Sequence, residues 1–302
     1  MALPGTNQSI SLSQVNTELG KSSTATISLN DAAVRALFGK ATGAISFADG
    51  WGKINPWTGA ITSNQTVVNL RTWATSAGWN GTVPAIITLN ANCYIYSGNT
   101  ASNALTIDGS WPNGVTFVNN GFVLGMGGAG GAGGTGSTYP YYTTAPAAFN
   151  GSAGTNGGNA ISLGVNCTIA NNGTIAGGGG GGGGGAITQY LPMWGTFIMD
   201  DDFIVAEFSG GGMGGGGKTG LTNSTGGNAG TSTNPGAGVT NGGGGGAWGT
   251  TGVAGTAPAL PANKTLTSKG TPGAGGAAGK CVALNGFTVT WAATGTRDGA
   301  IS

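Results

Sequence analysis

Side chains able to do chemistry are few in this 302-residue chain, and their spacing excludes most catalytic arrangements. There is no histidine, so a Ser-His-Asp triad, a Cys-His pair and a histidine metal site are excluded. One carboxylate cluster exists, formed by Asp200, Asp201, Asp202 and Glu207. Paired carboxylates serve glycosidases, but adjacent aspartates on a strand point to opposite faces. We therefore interpret the cluster as a turn between two apolar arms, with calcium binding or catalysis as alternatives.

Other motifs of chemical interest are equally weak. Gly212 to Thr219 fits a phosphate-binding loop only loosely, and it lacks the strand-to-helix context that such a loop requires. Cys93, Cys167 and Cys281 are far apart and each lies in an apolar context, which is typical of buried free thiols. The sequence thus predicts a protein that is not an enzyme and has no metal or other cofactor.

The charge distribution limits the class of partner. Only 6% of the residues are charged, the net charge is +1, and no Lys or Arg occurs between Arg71 and Lys218. Nucleic-acid binding depends on neutralising phosphates, so it is not expected. No apolar run approaches 18 residues, so a membrane-embedded chain is not expected either.

Aromatic side chains are the stronger functional signal, because Tyr and Trp dominate the energetics of protein interfaces. They cluster in three segments between glycine runs: 137–150, 186–209 and 247–269. For segment 186–209 two interpretations stay open, contact with a receptor or a buried hairpin. The candidate binding residues are Tyr139, Tyr141, Tyr142, Phe149, Tyr190, Trp194, Phe197 and Trp248.

The elements that must position these aromatics are rich in glycine. Only 12 of 66 glycines lie in residues 1–120. From Gly125 to Gly136 a residue other than glycine occurs at every third position, and all the remaining residues are glycine. A period of three is that of an extended left-handed helix without internal hydrogen bonds, and several such helices can bond to one another. A flexible linker, collagen and general disorder are the alternatives, but apolar segments interrupt the runs and only 11 prolines occur. We predict a mainly β or irregular fold, in which glycine-rich extended segments pack into a sandwich over residues 121–302, preceded by a small α+β domain.

Two regions precede the sandwich. Residues 1–53 repeat a short pattern at Ile10, Ile27 and Ile45, each time an extended segment followed by the start of a helical turn. Capping signals predict one helix after Ser11 and a second after Asn30 or Asp31, and the pattern predicts that the region is too small to have its own core. Residues 54–120 predict a mixed domain, with a helix containing Val67 to Ala77 and strands at 85–89, 93–97, 104–108, 115–118 and 122–124.

A unit with an Asn-Asn-Gly centre occurs twice, 52 residues apart. Residues 117–128 align with 169–180, and in both copies a predicted hairpin with an Asn-Gly turn leads into a glycine run. Residues 166–186, in which the second copy leads into nine consecutive glycines, resemble the glycine-rich motifs of the adhesins at the tip of T-even bacteriophage long tail fibres. The start of the chain is similar to that of other phage virion and tail proteins.

The resemblance implies a location, a function and partners. It implies a polyglycine II scaffold on the virion tail, with variable loops that bind an outer-membrane receptor, protein or glycan. It also implies that residues 1–53 attach the chain to a tail fibre or baseplate protein. The alternative is a purely structural tail, baseplate or capsid decoration protein that binds no host.

Overall fold

A computed structural model describes residues 2–135, 149–192, 207–210, 241–260, 262 and 264–302. The fold is mostly β-structure with few helices. No helix within these described ranges is long and apolar enough to cross a membrane.

The N-terminal repeat forms three short helical turns, as its capping signals predict. Helix α1 (Leu12–Glu18) begins with a capping box between Ser11 and Gln14. Helix α2 (Ala32–Phe38) ends at Gly39, whose φ of 70° is the left-handed conformation that favours glycine. The third copy is a 3-10 helix (Phe47–Gly50), and at its start the Asp49 carboxylate accepts a hydrogen bond from the amide of Ser46 (2.9 Å).

These turns enclose a small apolar core of their own, contrary to the expectation from sequence. Six buried residues form it: Leu3, Ile10, Val15, Val34, Leu37 and Phe38. The expectation was wrong because residues before the first helix add Leu3 and Ile10 to the cluster. The buried Glu18 carboxylate accepts a hydrogen bond from the amide of Asn55 (2.7 Å), which ties this region to the chain that follows it.

Three parallel sheets make up the body of the remaining chain. The strands in chain order are β1 Trp57–Ile61, β2 Gln65–Thr66, β3 Val68–Asn69, β4 Ala85–Leu89, β5 Tyr94–Tyr96, β6 Leu105–Ile107, β7 Val115–Asn119, β8 Phe122–Leu124, β9 Ile161–Leu163, β10 Cys167–Asn171, β11 Thr174–Ala176, β12 Ile187–Pro192, β13 Glu207–Gly210, β14 Lys264–Lys269, β15 Val282–Ala283, β16 Val289–Ala293 and β17 Thr296–Asp298. The first sheet is β1-β4-β7-β10-β16, the second β2-β5-β8-β11-β17 and the third β3-β6-β9-β15. Consecutive strands visit consecutive sheets, so the chain coils into a parallel β-solenoid.

Inward side chains stack in register from one coil to the next and form the main core. In each sheet the aligned residues are apolar and fully buried, which is how a solenoid buries a continuous core. The stacks are Ile87, Phe117 and Ile169 in the first sheet, Ile95, Val123 and Ile175 in the second, and Leu105, Ile161 and Val282 in the third.

The predicted boundary at residue 120 does not coincide with the end of a sheet. Strand β7 ends at Asn119, β8 begins at Phe122, and each pairs with strands from both halves of the chain. The glycine-rich chain leaves the solenoid after β8 and again after β11, and it returns at β9 and β15. The two leaving points lie at the corner between the second and third sheets.

The predicted Asn-Gly hairpins are corners of this solenoid, and that prediction was wrong. Strands β7 and β8 belong to different sheets, and neither Asn120 nor Gly121 has the positive φ that a two-residue hairpin turn requires. Instead, the buried Asn119 amide donates to the Asn171 side chain in the next coil (2.7 Å). The 52-residue spacing of the unit is therefore the length of one coil with its glycine-rich excursion.

The predicted helix is shorter than its apolar pattern. Strand β3 occupies Val68–Asn69, and helix α3 spans Leu70–Ser76, with the Asn69 side chain accepting from the amide of Thr72 (3.0 Å). Val67 has a φ of 52°, which no helix contains. The predicted strands are confirmed within one or two residues.

The last coil carries a charged residue at an inward position. Arg297 of β17 aligns with the buried Ile175 of β11. Its guanidinium carbon lies 4.8 Å from the centre of the Trp291 ring, so the side chain folds across the open end of the core. An inward-pointing charge of this kind blocks pairing of an exposed sheet edge.

Candidate functional site

Six glycine-rich segments run side by side from the solenoid corner, and we call them A (125–135), B (149–159), C (177–186), D (241–247), E (249–258) and F (270–280). They bond to one another at every third residue. In segment A, Gly128 donates to the carbonyl of Gly179 (2.7 Å) and Gly131 to that of Gly182 (2.8 Å). The period of three seen in the sequence is thus the period of the hydrogen bonds.

Segment C bonds to the other five segments. Gly180 donates to segment E and Gly181 to segment B (3.0 and 2.9 Å). Carbonyl oxygens of segment C accept from amides in segments A, D and F; Gly181, for example, accepts from Gly276 (2.7 Å).

This position explains why segment C contains nine consecutive glycines. A Cβ at Gly181 would lie 1.9 Å from a carbonyl oxygen of segment A, at Gly182 it would lie 2.0 Å from one of segment D, and at Gly183 1.9 Å from one of segment F. With three residues per turn, successive residues point in three different directions, and in each direction the backbone of a neighbouring segment is in the way. No residue with a side chain fits at these positions.

Segment B adds a side-chain ladder to the backbone bonds. Asn150, Asn156 and Asn159 accept hydrogen bonds from backbone amides of segment F at 2.7, 2.8 and 2.9 Å. The step between the first two is occupied by Ala153. This spacing of three could have been read from the sequence, but the prediction considered only the glycines.

The segments end together, far from the solenoid, at what we call the distal end. There Gly134 donates to Gly185 (2.9 Å), and Thr256 donates to Asn241 (2.7 Å). An antiparallel sheet in the order β13-β12-β14 continues from segment C at this end. Residues 136–148, 193–206 and 211–240 all join the described chain at the distal end or at this sheet.

The predicted binding residues fall into three groups. Tyr139, Tyr141, Tyr142, Trp194 and Phe197 lie outside the described residues, and so does the aspartate cluster Asp200 to Asp202. The backbone of Tyr190 is in β12, at the distal end.

The other two predicted residues are not at an exposed distal surface. Phe149 begins segment B at the distal end, but its side chain is only 1% exposed, so it packs inside the protein. Trp248 is half-buried in the turn between segments D and E, next to the last coil of the solenoid. Trp248 therefore lies at the opposite end from the segments with the other aromatics.

A buried polar pair at the distal end was not foreseen. Gln189 of β12 is fully buried, and Ser268 of β14, which pairs with it directly, is 6% exposed. The side-chain oxygen and nitrogen of Gln189 and the hydroxyl of Ser268 make no hydrogen bond. Glutamine in an apolar strand was the available signal.

The described residues contain no group of three His, Cys, Asp or Glu side chains that could hold a metal ion. Burial raises the pKa of the Cys167 thiol to about 11 and that of Cys281 to about 12, so both are neutral and unreactive near pH 7. The free cysteines are structural.

Comparison with known proteins gives the family. No curated protein matches the chain. A structure of the gp37-gp38 adhesin tip complex of the bacteriophage S16 long tail fibre matches with a TM-score of 0.55 and 21% identity, covering 96% of this chain and 97% of that one. At this identity the match shows a shared fold. The model of the phage tail fibre adhesin Gp38 family matches residues 56–302. The chain therefore belongs to the Gp38 family of phage tail fibre adhesins, proteins of the virion tail that bind a receptor on the host cell.

Proposed function

We propose that the six segments are polyglycine II helices packed into a rigid sandwich, and that this sandwich is a scaffold for recognition loops. The three-residue hydrogen-bond period and the lack of space for a Cβ in segment C support it. Each helix has no internal hydrogen bonds, and its backbone N–H and C=O groups bond to the surrounding helices, so each helix is stable only when its neighbours are in place. A scaffold of this kind holds its distal end in one conformation, which lowers the entropic cost of binding.

The receptor-binding surface in this proposal is the distal end. The observation that carries it is the convergence there of the described residues on either side of 136–148, 193–206 and 211–240. These segments contain Tyr139, Tyr141, Tyr142, Trp194 and Phe197, and Tyr190 lies in the adjoining strand. Rigid aromatic side chains at the end of a stiff scaffold are well suited to form interface hot spots.

Phe149 and Trp248 have supporting roles in this proposal. Phe149 is buried where segment 136–148 rejoins the scaffold, so it anchors that segment without touching the receptor. Trp248 lies against the solenoid end and stabilises the turn between segments D and E.

Residues 1–53 attach the chain to the tail fibre in this proposal. They form a separate apolar core, joined to the following chain through Glu18 and Asn55. The S16 structure is a complex of gp37 with gp38, which makes a fibre protein the natural partner class. The chain is a binding protein, and no step of its function requires catalysis.

Alanine substitutions at the distal end test the proposal. Tyr139, Tyr141 and Tyr142 are changed together in one variant, and Tyr190 and Trp194 in another, in particles that carry the protein. Adsorption to susceptible cells should weaken roughly 30-fold or more, because truncating a hot spot costs about 2 kcal/mol. Thr250→Ala, exposed at the solenoid end of segment E, is the control and should adsorb normally. Loss of thermal stability with normal adsorption would assign these aromatics to the core instead.

A further inference from the structure

The distal sheet contains two polar side chains that the fold itself does not satisfy. Gln189 and Ser268 are directly opposite residues of an antiparallel pair, so their side chains share one face, with Cβ atoms about 5 Å apart. Gln189 is 0% exposed and Ser268 is 6% exposed. Neither the Gln189 amide nor the Ser268 hydroxyl has a hydrogen-bond partner.

A buried amide without partners destabilises a protein, and an apolar residue of the same shape would not. The adjacent Thr188 shows the ordinary solution: it is 1% exposed, and its hydroxyl donates to the carbonyl of Pro258 (3.2 Å). Gln189 and Ser268 instead hold one amide donor group, one amide oxygen and one hydroxyl ready on the same face. A ligand that forms hydrogen bonds with these unpartnered groups would offset the cost of burying them.

We propose that Gln189 and Ser268 form a binding site for adjacent hydroxyl groups of a neutral saccharide on the host surface. The proposal rests on the proposed function, since it gives a chemical class to part of the receptor bound at the distal end. An amide presents a donor and an acceptor side by side, which matches two neighbouring hydroxyls, and the serine hydroxyl adds a third contact.

Two features favour hydroxyl groups over other ligands. Strand β12 is the middle strand, with both backbone edges paired to β13 and β14, so a peptide cannot bind there by adding a strand. Lys269 follows Ser268 in the chain and pairs with Thr188, so its side chain lies on the opposite face of the sheet. The Lys269 charge is therefore absent from the face that carries Gln189 and Ser268. Because Gln189 is closed to solvent in the free protein, an opening step precedes binding.

The test uses the full chain with Gln189→Met, a substitution of similar length that removes the amide, and Thr188→Val as the matched control. Three quantities are measured: thermal unfolding, binding of oligosaccharide released from the lipopolysaccharide of a susceptible strain, and adsorption of particles that carry the protein to cells of that strain. The proposal predicts that Gln189→Met leaves the melting temperature unchanged or raises it by a few degrees, and weakens oligosaccharide binding at least 10-fold. Thr188→Val should leave binding unchanged and lower the melting temperature, because its hydroxyl is already satisfied inside the protein.

Three results would overturn the site. The first is a fall of several degrees in the melting temperature of Gln189→Met, which would mean that the amide is bonded within the protein. The second is unchanged oligosaccharide binding in that variant. The third is no oligosaccharide binding by the wild type while Gln189→Met still impairs adsorption. That last result would exclude a saccharide as the ligand of Gln189 and Ser268 but would still support receptor binding at the distal end. The experiment therefore distinguishes failure of the saccharide site from failure of the proposed function.

Discussion

Replacing a single glycine of segment C tests the packing of the scaffold most sharply, and Gly181→Ala is the best choice. A Cβ there would lie 1.9 Å from the carbonyl oxygen of Ala129, whereas ordinary contact begins at 3.4 Å, so the two segments must separate by about 1.5 Å. Segment C cannot simply shift away, because Gly181 also donates to Thr155 and accepts from Gly276.

The cost follows from the bonds that such a shift breaks. Two to four hydrogen bonds at about 1 kcal/mol each, with about 1–3 kcal/mol of packing strain, give a loss of roughly 3–7 kcal/mol in the free energy of unfolding. For a domain of this size that corresponds to a fall of at least about 6 °C in the melting temperature.

Thermal and urea unfolding followed by circular dichroism would measure this loss. The control is Gly98→Ala, where a Cβ meets nothing within 4 Å and φ is not positive, so its stability should stay equal or rise slightly. If Gly181→Ala melted within about a degree of the wild type, close packing of segment C against its neighbours would be refuted.

Three further predictions concern other parts of the fold. Ala153→Asn should complete the asparagine ladder on segment F and raise the free energy of unfolding by about 0.5–1.5 kcal/mol, and Asn156→Ala should lower it by a similar amount, as measured by urea denaturation. Arg297→Ile should expose an apolar end of the solenoid, so sedimentation velocity should detect concentration-dependent association that the wild type lacks. Because burial raises the thiol pKa of Cys167 to about 11 and of Cys281 to about 12, both from 9.0, folding keeps them protonated. The stability that they contribute is complete below pH 9 and is lost as the pH rises through 9 towards 11–12, and a Cys167→Ala variant should lose less stability over that range.

Local signals in the sequence were sufficient for the elements. Three local signals set the helical turns, because each acts within four residues: the capping box at Ser11, the left-handed glycine at Gly39 and the hydrogen bond from the Ser46 amide to Asp49. Strands β4 and β8 follow from short apolar runs bounded by turn residues. The three-residue glycine period was informative because, at each repeat, a neighbouring backbone leaves no room for a side chain.

Long-range pairing could not be predicted in the same way. The short apolar segments of β7 and β8 are equally compatible with a hairpin and with two sheets of a solenoid, and the Asn-Gly dipeptide favoured the hairpin. The contacts that distinguish them are long-range; the hydrogen bond from Asn119 to Asn171, for example, spans 52 residues. The pairing of Gln189 with Ser268 spans a still longer separation, so the pair could not be predicted from sequence, although a glutamine in an apolar strand is itself unusual.

Site-specific photo-crosslinking to susceptible cells would test most directly whether the distal end binds the receptor. A crosslinking amino acid is placed at Thr135, exposed at the distal end of segment A, or at Thr250, exposed next to the solenoid. Distal recognition predicts a covalent product with an outer-membrane component from position 135 and none from position 250. A product from position 250 alone, or equal yields from both positions, would contradict it.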